Sequence, residues 1–149
     1  MKFERIIAVD PGRQSAWLDV QGDNMEISLL YCRDPHMGFT LNTFYLHGLS
    51  LGEDHRVDHI VYEQPYVRSH TSARMQYAMT GILELVAYQL NALAHSVHPS
   101  SVKKFATGKG NASKDEMIYA AKTIAPINIS NDHEADAFWI YKYFEAVVL

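Results

Sequence analysis

The chain has one cysteine, Cys32, and no Cys-x-x-Cys pair. A lone cysteine closes no intrachain disulfide, which points to a reducing, cytoplasmic setting. Long apolar runs are also missing. The N-terminal one, Ile6 to Val9, is flanked by Glu4, Arg5 and Asp10 and is too short for the core of a secretory signal. Glu84, Gln89 and Asn91 interrupt the longest candidate for a membrane span, which needs about 18 apolar residues in succession. Repeats, low-complexity tracts and linkers are absent, and 149 residues leave little room for a second domain. Residues 1–149 are therefore read as a single soluble domain, with 48% hydrophobic and 20% charged residues, the balance of a globular fold.

The net charge of −4 argues against a phosphate-gripping surface, but the average conceals a partition. Between Gln64 and Lys114 one acid, Glu84, stands against Arg68, Arg74, Lys103, Lys104, Lys109 and Lys114. That stretch carries +5, and the remaining residues, with 7 bases and 16 acids, carry −9. A basic middle third opposed to an acidic remainder would steer a polyanion to one side.

Hydrophobic periodicity predicts strands over 4–9, 15–20 and 25–33, an antiparallel meander whose first strand stops at Asp10-Pro11-Gly12. Residues 36–52 are ambiguous and are assigned to a helix. A fourth strand, Val57 to Glu63, ends at Gln64-Pro65. A long helix follows over about 71–94, with Met75, Met79, Ile82, Val86, Leu90 and Leu93 as its apolar stripe. A second line, Ala78, Leu85 and Leu93, widens that stripe, and Gly81 would allow close approach, so the surface suits either the core or a helix-packed dimer. A short strand is expected over 96–98. Ser113-Lys114-Asp115-Glu116 forms a capping box for a helix ending near Ala125, and Asn131 or Asp132 caps a last helix. Strands alternating with helices place the chain in the mixed α/β class.

Asp10 and Glu63 each end an apolar strand and each precede a proline by one or two residues. On parallel neighbouring strands both carboxylates emerge at one sheet edge, where burying them together demands a compensating cation or hydrogen bonds. On the last helix the expected core stripe is Ala137, Ile140, Phe144 and Val147, and its backward extension reaches Asp136 and His133. Asp136 is thus turned inward, whereas Glu134 and Asp132 suit the helix dipole and cap. Three carboxylates with one imidazole favour Mg²⁺ or Mn²⁺ over structural zinc. His95 and His98, three apart on a strand, would face opposite ways and make a weak pair.

Residues 107–114 hold glycines around Lys109 but fail the G-x-x-x-x-G-K-[ST] pattern. The segment leads into a helix N-terminus and, with Lys103, Lys104, Lys109 and Lys114 about it, suits phosphodiester contact or a surface loop. Tyr66 is placed to stack on an unpaired base or to pack in the core.

Four motifs in order, Val9-Asp10-Pro11-Gly12, Tyr62-Glu63-Gln64-Pro65-Tyr66, Val102-Lys103-Lys104 with Gly108 to Lys114, and His133-Glu134-Ala135-Asp136-Ala137, resemble those of RuvC-type Holliday junction resolvases, the phage-encoded branch most closely. The resemblance implies an RNase H-like α/β fold with a mixed central sheet flanked by helices, a homodimer, and a magnesium-dependent endonuclease that nicks four-way DNA junctions in recombination or repair. It makes Asp10, Glu63 and Asp136 metal-binding acids, with His133 where many members have another carboxylate. Lys103 and Lys114 would lie near the scissile phosphate and Tyr66 at the junction centre, and the basic middle third adds Arg68, Arg74, Lys104 and Lys109 as expected DNA contacts. Two Mg²⁺ ions per site, with Mn²⁺ as substitute, would drive in-line displacement. A less selective flap or fork nuclease and a non-cleaving nucleic-acid scaffold are the alternatives. The Arg13 to Trp17 stretch departs from the family's small-residue pattern, and histidine at 133 removes a negative charge.

Overall fold

A computed structural model describes residues 3–66 and 69–149. Five strands, β1 (Arg5–Asp10), β2 (Gln14–Gln21), β3 (Asn24–Tyr31), β4 (His59–Glu63) and β5 (Leu93–Val97), form one sheet in the order β3-β2-β1-β4-β5. β1 pairs antiparallel with β2 and parallel with β4, so the sheet is mixed. The helices are α1 (Met37–Leu51), α2 (His70–Leu90), α3 (Pro99–Thr107), α4 (Lys114–Ile124) and α5 (Asp132–Val147).

Why the sheet is buried on both faces can be read from β1. Its alternate residues enter different cores: Ile7 and Val9 join Trp17, Phe44, Met79, Leu83 and Val86 under α1 and α2, while Ile6 and Ala8 join Phe138, Ile140 and Phe144 of α5. A strand covered on both faces reads as a continuous apolar run, as Ile-Ile-Ala-Val does. The α1 and α2 layer sits close to the sheet because Gly48 faces Trp17 and Val86, and a β-carbon there would come within 3.2 Å of both side chains.

The meander, the assignment of 36–52 to a helix and the parallel placement of β4 beside β1 agree with the sequence reading. The end of the long helix, the start of the fifth strand and the helix α3 do not. The long helix stops at Leu90 because Asn91 takes the left-handed conformation (φ 55°), and Ala92 N–H then bonds back to Ala87 O. Leu93 and Ala94 consequently belong to β5, which starts three residues earlier than expected and pairs with His59 and Ile60. The helix α3 was not anticipated. It carries its own signals: His98 Nδ1 accepts from Ser100 N–H, Pro99 occupies the first turn, and Gly108 (φ 82°) ends it.

Two apolar surfaces also differ from the expected stripe. Leu85 and Leu93 are exposed, a β-carbon at Gly81 would meet nothing within 4 Å beyond its own helix turn among the described residues, and Tyr77 and Tyr88 share that open face of α2. On α5 the buried set is wider than expected, with Phe138, Trp139 and Tyr141 added, and Val147 is exposed at its C-terminal end. Among the described residues no helix is long and apolar enough to cross a membrane.

Candidate active site

Period-two alternation aims the strand-end acids. Asp10 follows Ile6 and Ala8 to the α5 face of the sheet, and Glu63 follows Val61 to the same face. The parallel register Val9↔Tyr62 leaves Asp10 and Glu63 as the next residues on adjacent strands. Opposite them begins α5. Its entry is held by Asn131, whose side chain accepts from Glu134 N–H at 2.9 Å, and by Glu134, which accepts from Ser130 N–H and Ser130 Oγ at 2.6 Å each. Glu134 is buried and anchors the turn, a larger task than the dipole interaction expected of it. With that turn fixed, His133 and Asp136, one turn apart, both face the sheet edge.

The imidazole of His133 links two strands. Its Nδ1 donates to Asp10 Oδ2 at 2.8 Å and its Nε2 donates to Gln14 Oε1 at 3.1 Å. Two oxygen acceptors on one ring favour the doubly protonated imidazolium. The Asp10 hydrogen bond accordingly raises the His133 pKa, against the opposing effect of burial. Gln14 thus acquires a place at the site that the sequence alone did not disclose, since only the β2 hairpin brings it opposite α5.

The acids crowd one another. Burial pushes Asp10 upward, with the His133 hydrogen bond opposing. Glu63 is pushed up to about 7 by burial and then by the charge of Asp10, with Lys103 opposing. Asp136 is pushed up to about 8 by burial and then by Asp10 and Glu63. Acids that cannot all ionise together mark a site short of positive charge. An oxygen-rich set of this kind, with one imidazole, fits a hard divalent cation. Among the described residues no three His, Cys, Asp or Glu side chains stand in finished metal-holding geometry, and the His133 bond engages one Asp10 oxygen. The acids are assembled and electrostatically coupled, and ion binding would have to displace that bond.

Two recesses open beside them. A narrow one of about 60 Å³ is lined by Asp10, Glu63, Tyr66 and Gln76. It adjoins one of about 550 Å³ that runs past Glu63, Tyr66 and Gln76 to Lys103, Asn111 and Lys114. Tyr66 is 61% exposed, which excludes the core-packing reading. Lys103 is half-buried on α3, and Lys104 and Arg74 are exposed. Lys114 reaches Asp132 at 3.3 Å, and Lys109 pairs with Glu116 at 3.2 Å. Arg68 lies outside the described residues. His98 caps α3, and His95 packs instead on His59 and Phe144. Gln76 escaped the sequence reading, although it continues the buried line of Met79, Leu83 and Val86 toward the site at helical spacing.

No protein-family model matches the chain. The Thermus thermophilus RuvC in complex with a Holliday junction substrate superimposes with a TM-score of 0.73 at 19% identity, over 92% of this chain and 90% of that one. The fold is that of RuvC. The yeast mitochondrial Holliday junction resolvase Ydc2 superimposes on this chain with a TM-score of 0.64 at 12% identity, over 93% of this chain and 76% of its own. In sequence, the RuvC crossover junction endodeoxyribonucleases of Rickettsia typhi and Rickettsia massiliae are 35% identical over 80 residues and 34% over 79. Each match covers half of this chain and half of the relative, so the chain spans about half the length of the curated RuvC relatives it matches.

Proposed function

We propose that the chain is a metal-dependent endonuclease that nicks four-way DNA junctions in strand pairs. The observation that carries this reading is the convergence of Asp10, Glu63, Asp136 and His133 at one edge of a RuvC-fold sheet, beside a lysine-bearing cleft. The RuvC relatives and the junction-bound Thermus protein supply the substrate class.

Asp10, Glu63 and Asp136 would hold the ions, Mg²⁺ or its substitute Mn²⁺, two per site, with His133 as a fourth contact. Bound there, the ions would activate water and offset charge on the departing 3′ oxygen. The chain does the rest. His133, neutral once the ions take Asp10, can orient the attacking water or accept its proton. Lys114 and Lys103 offset charge at the phosphate. Tyr66 stacks on a base at the junction centre, and Arg68, Arg74, Lys104 and Lys109 follow the backbone. A homodimer through the exposed Tyr77, Gly81, Leu85 and Tyr88 face of α2 would present two sites to opposed strands.

Cleavage of synthetic four-way, three-way and linear DNA with Mg²⁺, Mn²⁺ or chelator tests the reading. The four-way substrate should be cut in paired nicks only with metal, and Asp10→Asn should abolish cutting while the junction is still bound. Mg²⁺-dependent nicking retained by that variant refutes the assignment.

A further inference from the structure

Among the described residues, Gln76 Oε1 is the buried side-chain oxygen or nitrogen without a hydrogen-bond partner. Such a group is costly inside a protein and calls for an explanation. Its position supplies one. Gln76, Glu63 and Tyr66 are the three residues common to the acid crevice and the wider cleft, so the carboxamide lies between the lysines and the acids.

We propose that Gln76 reads a base edge of the nucleotide beside the cleaved phosphodiester and so sets a sequence preference at the cut; the inference rests on the nuclease reading above. The orphan atom is an acceptor and needs a donor. The backbone of DNA offers none, because phosphodiester oxygens and an in-chain deoxyribose only accept. The donors of DNA are the amino and imino groups of its bases. A carboxamide also carries a donor beside its acceptor, the pairing that reads an adenine edge in two contacts. The cleft, at about 550 Å³, lies within the range of pockets that hold small ligands. Its other groups suit the same occupant: the exposed Tyr66 ring offers a stacking face, and Lys103 and Lys114 offer charge to the flanking phosphates. The lysines position DNA without reading sequence, which leaves that task to the amide.

The test uses four-way junctions randomised at the two base pairs on each side of the exchange point. They are cleaved with Mg²⁺ by the wild type, Gln76→Ala and Gln76→Glu, and the products are sequenced. In parallel, junctions bound in chelator are recovered and sequenced. The wild type should favour one base at a position flanking the cut. In Gln76→Ala that preference should shrink by about fivefold or more, the rates on favoured and disfavoured junctions converging, because one good base contact is worth that much discrimination. Gln76→Glu, which keeps the acceptor and loses the donor, should change the favoured base. The thermal midpoint of Gln76→Ala should not fall, since no bond within the fold is lost; a purely structural side chain would lower it. A uniform rate loss across all sequences, which a phosphate or hydrated-ion contact would cause, overturns the proposal. So does an unchanged preference. If the wild type cuts no branched DNA in either metal, the nuclease reading fails, and the bound pools decide Gln76: equal base composition from wild type and Gln76→Ala overturns its role.

Discussion

At the residue scale the site's properties follow from carboxylates that share one buried corner. Unfolded, Glu63 and Asp136 titrate near 4.5 and 3.8; folded, they titrate near 7 and 8. Between those limits the unfolded chain holds fewer protons than the folded one, so these groups lower stability as pH rises. His133 acts in the same direction, because its folded pKa is raised and its contribution is lost as pH climbs through that value. Thermal unfolding of the metal-free protein should therefore show a midpoint that falls from pH 5.5 to pH 8.5. Asp136→Asn should raise the midpoint at pH 8.5 and leave it nearly unchanged at pH 4, where the native carboxyl is protonated. Ions bind the deprotonated acids, so apparent Mg²⁺ affinity, followed by calorimetry in two buffers of different ionisation enthalpy, should rise between pH 6 and pH 8.5. The rise should be about tenfold per pH unit for each proton released.

Secondary-structure elements aim these side chains, and their own restraints are open to test. Glu134 ties the start of α5 to Ser130, which sets the angle of His133 and Asp136 toward the sheet. Glu134→Ala should cost about 1 kcal/mol in denaturant unfolding and should reduce nicking more than junction binding, as the acids lose their common aim. Gly48 lets α1 lie against Trp17 and Val86. Gly48→Val should destabilise by about 1–3 kcal/mol through overpacking, with the denaturant midpoint as readout. Both elements were foreseen in the sequence, yet neither restraint was. A capping pattern names the start of a helix, but which buried residue meets a glycine is settled by elements far off in the chain.

For the whole molecule, the two sheet faces divide the labour. The α5 face carries the acids, and the opposite layer leaves Tyr77, Leu85 and Tyr88 of α2 exposed around Gly81. If that face joins two copies, the double variant Leu85→Arg with Tyr88→Glu should sediment as a monomer with an unchanged thermal midpoint. On junction DNA it should give unpaired nicks in place of simultaneous ones. A variant that still sediments as a dimer assigns the contact elsewhere.

What the amino-acid order determined by itself was direction. Ile-Ile-Ala-Val-Asp and Ile-Val-Tyr-Glu dictate strands that each end on an acid, and the spacing of His133 and Asp136 dictates that they share one side of a helix. These are local properties, fixed by periods of 2 and 3.6 residues. The tertiary structure decided partners. Leu93 and Ala94 suit a helix end or a strand equally until Asn91 breaks the helix and β4 offers them a hydrogen-bonded edge. His133 meets Asp10 across 123 residues, and Gln14 joins them only through the β2 pairing. Gln76 is one polar residue among many until the fold leaves its oxygen buried beside Glu63 without a donor. Burial, pKa shifts and unmet hydrogen bonds are sums over neighbours in space, and those neighbours are chosen by packing between elements distant in the chain.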